Sequence, residues 1–162
     1  MPPRPAKTAP PQGLAEGIDL QDDLANLWRE PDGAELRPDP LASDGIACWM
    51  PGSHLEWAFQ IPSSRGKGVE GARYRVFVVV RLETEGSDAS PGFSAGVYDT
   101  DARKELHSHV FPIDQTSPGY RAYELGTVVW SPTLTVWVAP PANGRVHAVW
   151  VDRVYLVPES GL

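Results

Sequence analysis

The chain has 162 residues, a formal net charge of -7 and a single cysteine. That length suits one domain with a real core. The acidic balance and scattered arginines argue against the basic face of a nucleic-acid binder, and Cys48 alone cannot form an internal disulfide. Seventeen prolines and fifteen glycines separate short apolar runs rich in aromatics (six Trp, five Tyr), the pattern of many strands joined by turns rather than of helices.

In chain order, residues 1–16 open with Met1-Pro2-Pro3-Arg4-Pro5-Ala6 and read as a Pro-rich tail or linker, without the apolar core of a signal peptide. The domain is expected from Gly17 to Leu162. Strands are predicted at 18–21, 27–29, 34–37, 46–50 and 57–61, with a short helical turn allowed at 22–27. Further strands follow at 72–83, 93–99, 106–111, 120–125, 127–130 and 134–139, with a last one at 146–157. Turn residues separate them: Pro31-Asp32-Gly33, Ser43-Asp44-Gly45, Met50-Pro51-Gly52, Ser117-Pro118-Gly119 and Pro140-Pro141-Ala142-Asn143-Gly144. Cys48 falls within a strand, as a small buried hydrophobe would. In 72–83, Tyr74, Val76, Val78, Val80 and Leu82 share one face. The opposite face is polar at Arg73, Arg75, Arg81 and Glu83, but Phe77 and Val79 predict that its centre is covered too. In 57–61, Trp57, Phe59 and Ile61 alternate with Ala58 and Gln60. No segment is long and apolar enough to span a membrane.

The last strand is the most informative stretch. Its even positions, Val146, Ala148, Trp150, Asp152, Val154 and Leu156, read as a core face with one carboxylate in the middle. A buried aspartate must be hydrogen-bonded, paired or bound to a metal. About ten short strands without a convincing helix predict an all-β, antiparallel jelly-roll sandwich of two packed sheets. An immunoglobulin-like sandwich needs fewer strands and gives no reason for Asp152.

Three segments resemble a known pattern: Asp39-Pro40-Leu41-Ala42-Ser43-Asp44-Gly45-Ile46-Ala47, Met50-Pro51-Gly52-Ser53-His54-Leu55-Glu56-Trp57 and Trp150-Val151-Asp152-Arg153-Val154-Tyr155-Leu156. They look like the galactose-binding-like jelly roll, which includes carbohydrate-binding modules of families 6 and 35. They also resemble C-terminal domains of large bacterial proteins that carry a glycoside-hydrolase-like catalytic part. The resemblance implies a structural calcium held by acids of the first strand, a turn before an early strand, and an aspartate of the last strand. Here those positions are Gln21 and Asp23 (with Asp22 between them), Asp44 in Ser43-Asp44-Gly45, and Asp152. Gln21 stands where the pattern has an acid, and calcium accepts amide oxygens among its six to eight ligands. The alternative is that Asp152 accepts backbone N–H bonds or pairs with an arginine such as Arg29 or Arg37.

Sugar-binding modules set aromatic rings against sugar C–H faces, with polar side chains reading the hydroxyls. Trp57 and Trp150 are expected in core packing, and Trp28 likewise. Trp137 lies opposite Leu134, Val136 and Val138 in its strand, alongside Thr135, and is expected to face outward or toward a neighbouring element. Trp130 and Tyr98 border loops at one end of the sandwich, with Arg103 and Asn143 as hydroxyl readers. His107-Ser108-His109, with His147 later, loosely resembles the metal motif of cupins but lacks its glutamate; exposed strand-face histidines are the plainer reading. Asp99 with Asp101, or Glu83 with Glu85, could pair as acids, but a glycosidase sets its carboxylates across a cleft. No nucleophile elbow, P-loop, GxGxxG or CxxC occurs. The sequence reading is therefore a monomeric, non-catalytic carbohydrate-binding-like accessory module of a larger saccharide-processing protein. Its partners would be a weakly held glycan, the parent's catalytic domain, or both. A bracing sandwich without a sugar site and a cupin-type metalloenzyme are the alternatives, and localisation is left open.

Overall fold

Turn residues end the strands close to where the sequence places them. The computed structural model describes residues 9–20, 25–27, 33–54, 56–65 and 67–159. The strands among them are β1 (Ile18–Leu20), β2 (Asn26–Leu27), β3 (Glu35–Pro38), β4 (Ile46–Pro51), β5 (Phe59–Pro62) and β6 (Arg73–Thr84), followed by β7 (Pro91–Asp99), β8 (Lys104–Pro112), β9 (Arg121–Val129), β10 (Leu134–Ala139) and β11 (Val146–Pro158). All pairings are antiparallel. One sheet runs β3-β4-β11-β6-β9, with β1 also on β11, and the other runs β2-β5-β10-β7-β8. This is the expected all-β jelly-roll sandwich. Two expected strands, 120–125 and 127–130, are the single strand β9, whose pairing with β6 slips at a bulge before Gly126. Most of the helical turn allowed at 22–27 lies outside the described residues, and Asn26–Leu27 is strand.

The core lies between the sheets. Val76, Val78, Val80 and Leu82 of β6 meet Phe93, Ala95 and Val97 of β7 and Val136 and Val138 of β10. The outer face of the six-stranded sheet is covered as well, as Phe77 and Val79 suggest. Phe77 packs with Tyr155 and Val157 under Leu14, so part of the segment read as a tail lies against the domain.

Strand β11 departs from the simple alternation. Its register against β6 slips between Val146 and Ala148 and again between Val151 and Arg153. Each bulge inserts one residue and reverses which side the following residues face. Val146, Val149, Val151, Val154 and Leu156 therefore enter the core. Ala148 and Trp150 face outward, packing with Ala42 and Ala47. The expected core face that included Trp150 and Asp152 is corrected accordingly. β4 pairs with Ala148–Val151 and β1 with Val154–Leu156, on the same side of β11. Asp152 is the bulge residue where one neighbour hands over to the other.

The open side between edge strands β8 and β9 is tied by histidines. His107 Nε2 bonds the Thr127 carbonyl at 2.8 Å and His109 Nε2 the Leu125 carbonyl at 2.7 Å. A bulge at Leu106 turns both rings away from the sheet's outer face. Gly126 makes room for His107: its φ is +139°, and a Cβ there would lie 2.4 Å from the imidazole.

Candidate functional site

Asp152 is 3 % exposed. Its Oδ2 accepts the Ser43 N–H at 3.0 Å, and its Oδ1 accepts the Ser43 hydroxyl at 3.1 Å. The acceptor role weighed in the sequence is thus observed, with Ser43 as donor. Arg37 instead stacks on Trp49 at 3.5 Å, and Arg29 lies outside the described residues. Asp44, the turn residue of the expected calcium set, accepts the Ile46 N–H at 3.2 Å. Gln21, Asp22 and Asp23 lie outside the described residues. Among the described residues no three His, Cys, Asp or Glu side chains converge as a metal group would require.

Next to Asp152 lies a buried ion pair that sequence reasoning missed. Asp39 Oδ2 accepts Arg81 Nε–H at 2.9 Å and the Tyr120 hydroxyl at 2.6 Å, while its Oδ1 accepts the Leu41 N–H at 3.0 Å. The Arg81 guanidinium lies over Trp150 at 4.6 Å and near Tyr120 at 5.6 Å. Burial pushes the Asp39 carboxyl up, but the hydrogen bonds from Tyr120, Arg81 and Leu41 and the charge of Arg81 outweigh it and hold it below the usual range. Burial also raises the Tyr120 phenol, helped by its bond to Asp39. A second buried pair, Arg153 with Asp19 at 2.8 Å, sits where β1 joins β11.

The aromatic feature lies on the other sheet. Asn26, Gln60, Trp137, Gly96 and Ser108 are aligned partners across β2, β5, β10, β7 and β8. In the neighbouring row Thr135 pairs with Tyr98, and Tyr98 with Glu105. Strand β5 begins only at Phe59, so Trp57 leaves the strand line. It stacks on Trp137 with centroids 4.6 Å apart and planes 6° apart. Tyr98 meets Trp57 edge-on at 5.5 Å. The expectation that Trp57 is ordinary core packing is therefore corrected. Trp137 does point outward, as expected, but it is 4 % exposed. It is held between Trp57 and the Gly96 backbone, where an added Cβ would lie 2.8 Å from the indole. Trp57, half-buried, is the outer ring of the stack. Trp137 Nε1–H donates to Glu105 Oε2 at 3.1 Å. Burial raises the Glu105 carboxyl above the ordinary range, and the bond from Trp137 offsets part of that rise.

The other sequence candidates are not gathered here. Trp130 is 2 % exposed and packs edge-on against Tyr74 at 5.9 Å; as a core residue it offers no face to a ligand. Asn143 lies at the opposite end of β7 from Tyr98. Its amide donates to the Pro91 carbonyl at 3.0 Å and its oxygen accepts the Arg145 and Val146 N–H groups, so it shapes a turn. Arg103 is exposed in the turn after Tyr98, at φ +55°. In the same turn Asp99 Oδ1 accepts Thr133 Oγ1–H at 2.9 Å and the Asp101 N–H at 3.0 Å. Asp99 thus orders the loop rather than facing Asp101 as an acid partner, and the bond from Thr133 leads the effects that lower its carboxyl. His147 lies 3.3 Å from Glu85, away from His107 and His109, so the cupin-like triad does not form.

Neither the models of known sequence families nor the characterised proteins match this chain in sequence. Its fold does match solved structures. The CBM22-1 xylan-binding domain of Paenibacillus barcinonensis Xyn10C aligns over 90 % of this chain and 97 % of that domain, with TM-score 0.56 and 9 % identity. A family 35 carbohydrate-binding module from Clostridium thermocellum aligns over 84 % and 93 %, with TM-score 0.54 and 17 % identity. An arabinose-bound GH51 α-L-arabinofuranosidase aligns over 83 % of this chain at TM-score 0.55 and 17 % identity, and the match spans 23 % of that longer protein. This chain therefore has the jelly-roll fold seen in carbohydrate-binding modules.

Proposed function

We propose that the chain is a non-catalytic carbohydrate-binding accessory module that holds a glycan against the outer face of its five-stranded sheet. The observation that carries this reading is the Trp57–Trp137–Tyr98 cluster on that face. A stacked indole pair seated on Gly96 is a rigid platform, and its outer ring is set against sugar C–H groups at little ordering cost. Glu105 beside the stack and Gln60 in the adjoining row read hydroxyls, and Arg103 extends the polar rim. The groups best suited to chemistry serve the scaffold: Asp99 orders a loop, and His107 and His109 tie β9. Modules of this fold in longer saccharide-processing chains support the accessory role. Fold likeness sets no ligand by itself, so the glycan is to be found by screening.

The test is isothermal titration of xylan-, galactan- and β-glucan-derived oligosaccharides into the wild type, Trp57→Ala and Glu105→Ala, with reducing-end release measured in parallel. The expected result is binding that weakens in both variants with no sugar released. Wild-type binding unchanged in Trp57→Ala would move the site off this face, and steady release of reducing ends would overturn the non-catalytic reading.

A further inference from the structure

The hairpin loop beside the Trp57 face holds a residue that its backbone disfavours. Loop 100–103 joins Asp99 to Lys104, which are partners at the end of the β7–β8 ladder, next to the Tyr98–Glu105 pair. Its last residue, Arg103, has φ +55°. That left-handed conformation is ordinary for glycine, tolerated by asparagine and disfavoured for arginine. The bonds of the loop do not call for an arginine. Thr100 donates its N–H and its hydroxyl to the Thr133 carbonyl at 2.8 and 2.9 Å. Asp99 Oδ1 accepts the Asp101 and Ala102 N–H groups at 3.0 and 3.3 Å and the Thr133 hydroxyl. Glycine at position 103 would leave each of these in place. Strained residues persist where the surrounding structure over-determines them, and they gather at ligand clamps.

Arg103 is exposed and, among the described residues, its guanidinium has no hydrogen-bond or ion-pair partner. By contrast Arg37, Arg73, Arg75, Arg81, Arg145 and Arg153 each meet a carboxylate. The neighbouring acids are bonded elsewhere: Asp99 orders the loop, and Glu105 accepts the Trp137 Nε1–H at 3.1 Å. Asp101, in the same loop, makes no ion pair with Arg103. Hydroxyl reading alone would not select arginine here, because asparagine donates and accepts hydrogen bonds with less backbone strain. What arginine adds is a permanent charge on a planar fork that grips a carboxylate through two parallel bonds. We propose, on the basis of the Trp57 site above, that Arg103 sets the specificity of that site by pairing with a carboxylate of the glycan, so that the preferred ligand bears uronate groups. Glu105 then accepts hydroxyl protons from the ring on Trp57, while Arg103 takes the carboxylate at the rim.

The test is isothermal titration of the full chain with matched oligosaccharides that differ in a carboxylate: galactotriose against trigalacturonate, and xylotriose against xylotriose carrying a glucuronosyl group. Wild type is expected to bind at least one uronate member about tenfold more tightly than its neutral match. Arg103→Asn and Arg103→Gly should lose that preference, keep the neutral affinity and melt no lower than wild type, while Arg103→Lys should keep part of the preference. Equal wild-type affinities for the matched sugars, or a preference that survives in both Arg103→Asn and Arg103→Gly, would overturn the assignment. So would a melting midpoint of Arg103→Gly well below that of wild type, which would show that the loop itself needs the arginine. Neutral binding that Trp57→Ala abolishes, without any uronate preference, would overturn the assignment and leave the proposed function standing. A uronate preference lost in Arg103→Asn but intact in Trp57→Ala would move the carboxylate site off the Trp57 face and overturn both. Binding of none of these sugars would also overturn both.

Discussion

Replacing Asp39 with alanine probes the least exposed charge pair around Trp150. The Asp39 side chain is 2 % exposed and that of Arg81 10 %. Without the carboxylate, the guanidinium loses its close partner and the Tyr120 hydroxyl its acceptor. Breaking such a pair from one side costs about 3–5 kcal/mol. Glu83, 3.5 Å from Arg81 and half exposed, can take up part of the charge, which favours the lower end, ~3 kcal/mol. For a domain of this size that is a fall of roughly 6–12 °C in Tm. Asp39→Asn, which keeps an oxygen for one donor, should fall by less. The double variant Asp39→Leu with Arg81→Met should recover most of the loss, because both charges leave together. The pH dependence has a definite sign. The folded Asp39 carboxyl is held below its ordinary value of 3.8, so its contribution is complete above that value and disappears as pH falls through the lower folded pKa. The deficit of Asp39→Ala should therefore shrink in strongly acidic melts. Differential scanning calorimetry at neutral and acidic pH reads all four effects. A Tm within about 2 °C of wild type for Asp39→Ala, or a double variant no better than the single, would refute the buried-pair reasoning.

Three further outcomes follow. Gly126→Ala should destabilise by roughly 1–3 kcal/mol through backbone strain alone, with a further cost from the His107 clash, and His107→Ala should remove only that further cost in a double variant followed by urea unfolding. Asp152→Ala should cost about 1–3 kcal/mol by stranding the Ser43 donors and Asp152→Asn less, as read by thermal melts; an Asp152→Ala midpoint equal to that of wild type would contradict the Ser43 account. Because burial raises Glu105, its charged form costs stability above the raised pKa and the cost disappears below its ordinary value. Glu105→Gln should accordingly compare more favourably with wild type at neutral pH than at acidic pH in thermal melts, and the opposite trend would contradict the assignment.

Where a strand is regular, its facing was readable. The alternation of β6 placed Val76, Val78 and Val80 in the core and gave notice, through Phe77 and Val79, of a covered outer face. The same covered face hid the bulges of β11. Ala148 and Trp150 are as apolar as Val149 and Val151, so polarity could not show that the middle of the strand had turned over. The second bulge restores the original order, so both ends fit a single unbroken alternation. Trp57 has the parity of Phe59 and Ile61, and nothing local marks that the chain leaves the strand line before Phe59. A signal existed on the other side: a glycine inside a strand, Gly96, suggests the close approach of a bulky group, and Trp137 fills that space. His107 and His109 share a side, as their spacing implies, but the bulge at Leu106 decides which side. Trp130 and Asn143 drew notice because they border turns; one is core and the other holds a turn's amides, distinctions set by distant Tyr74 and Pro91.

Glycan binding on the proposed Trp57 face is tested most directly by affinity electrophoresis through gels cast with soluble xylan, galactan or β-glucan. Wild type should be retarded by at least one polysaccharide. Trp57→Ala, shown by its melt to be folded, should run nearly free, since losing the ring's apolar contact costs ~2 kcal/mol, on the order of thirtyfold in affinity. A wild type that no gel retards, or a Trp57→Ala variant retarded as strongly as wild type, would contradict the account.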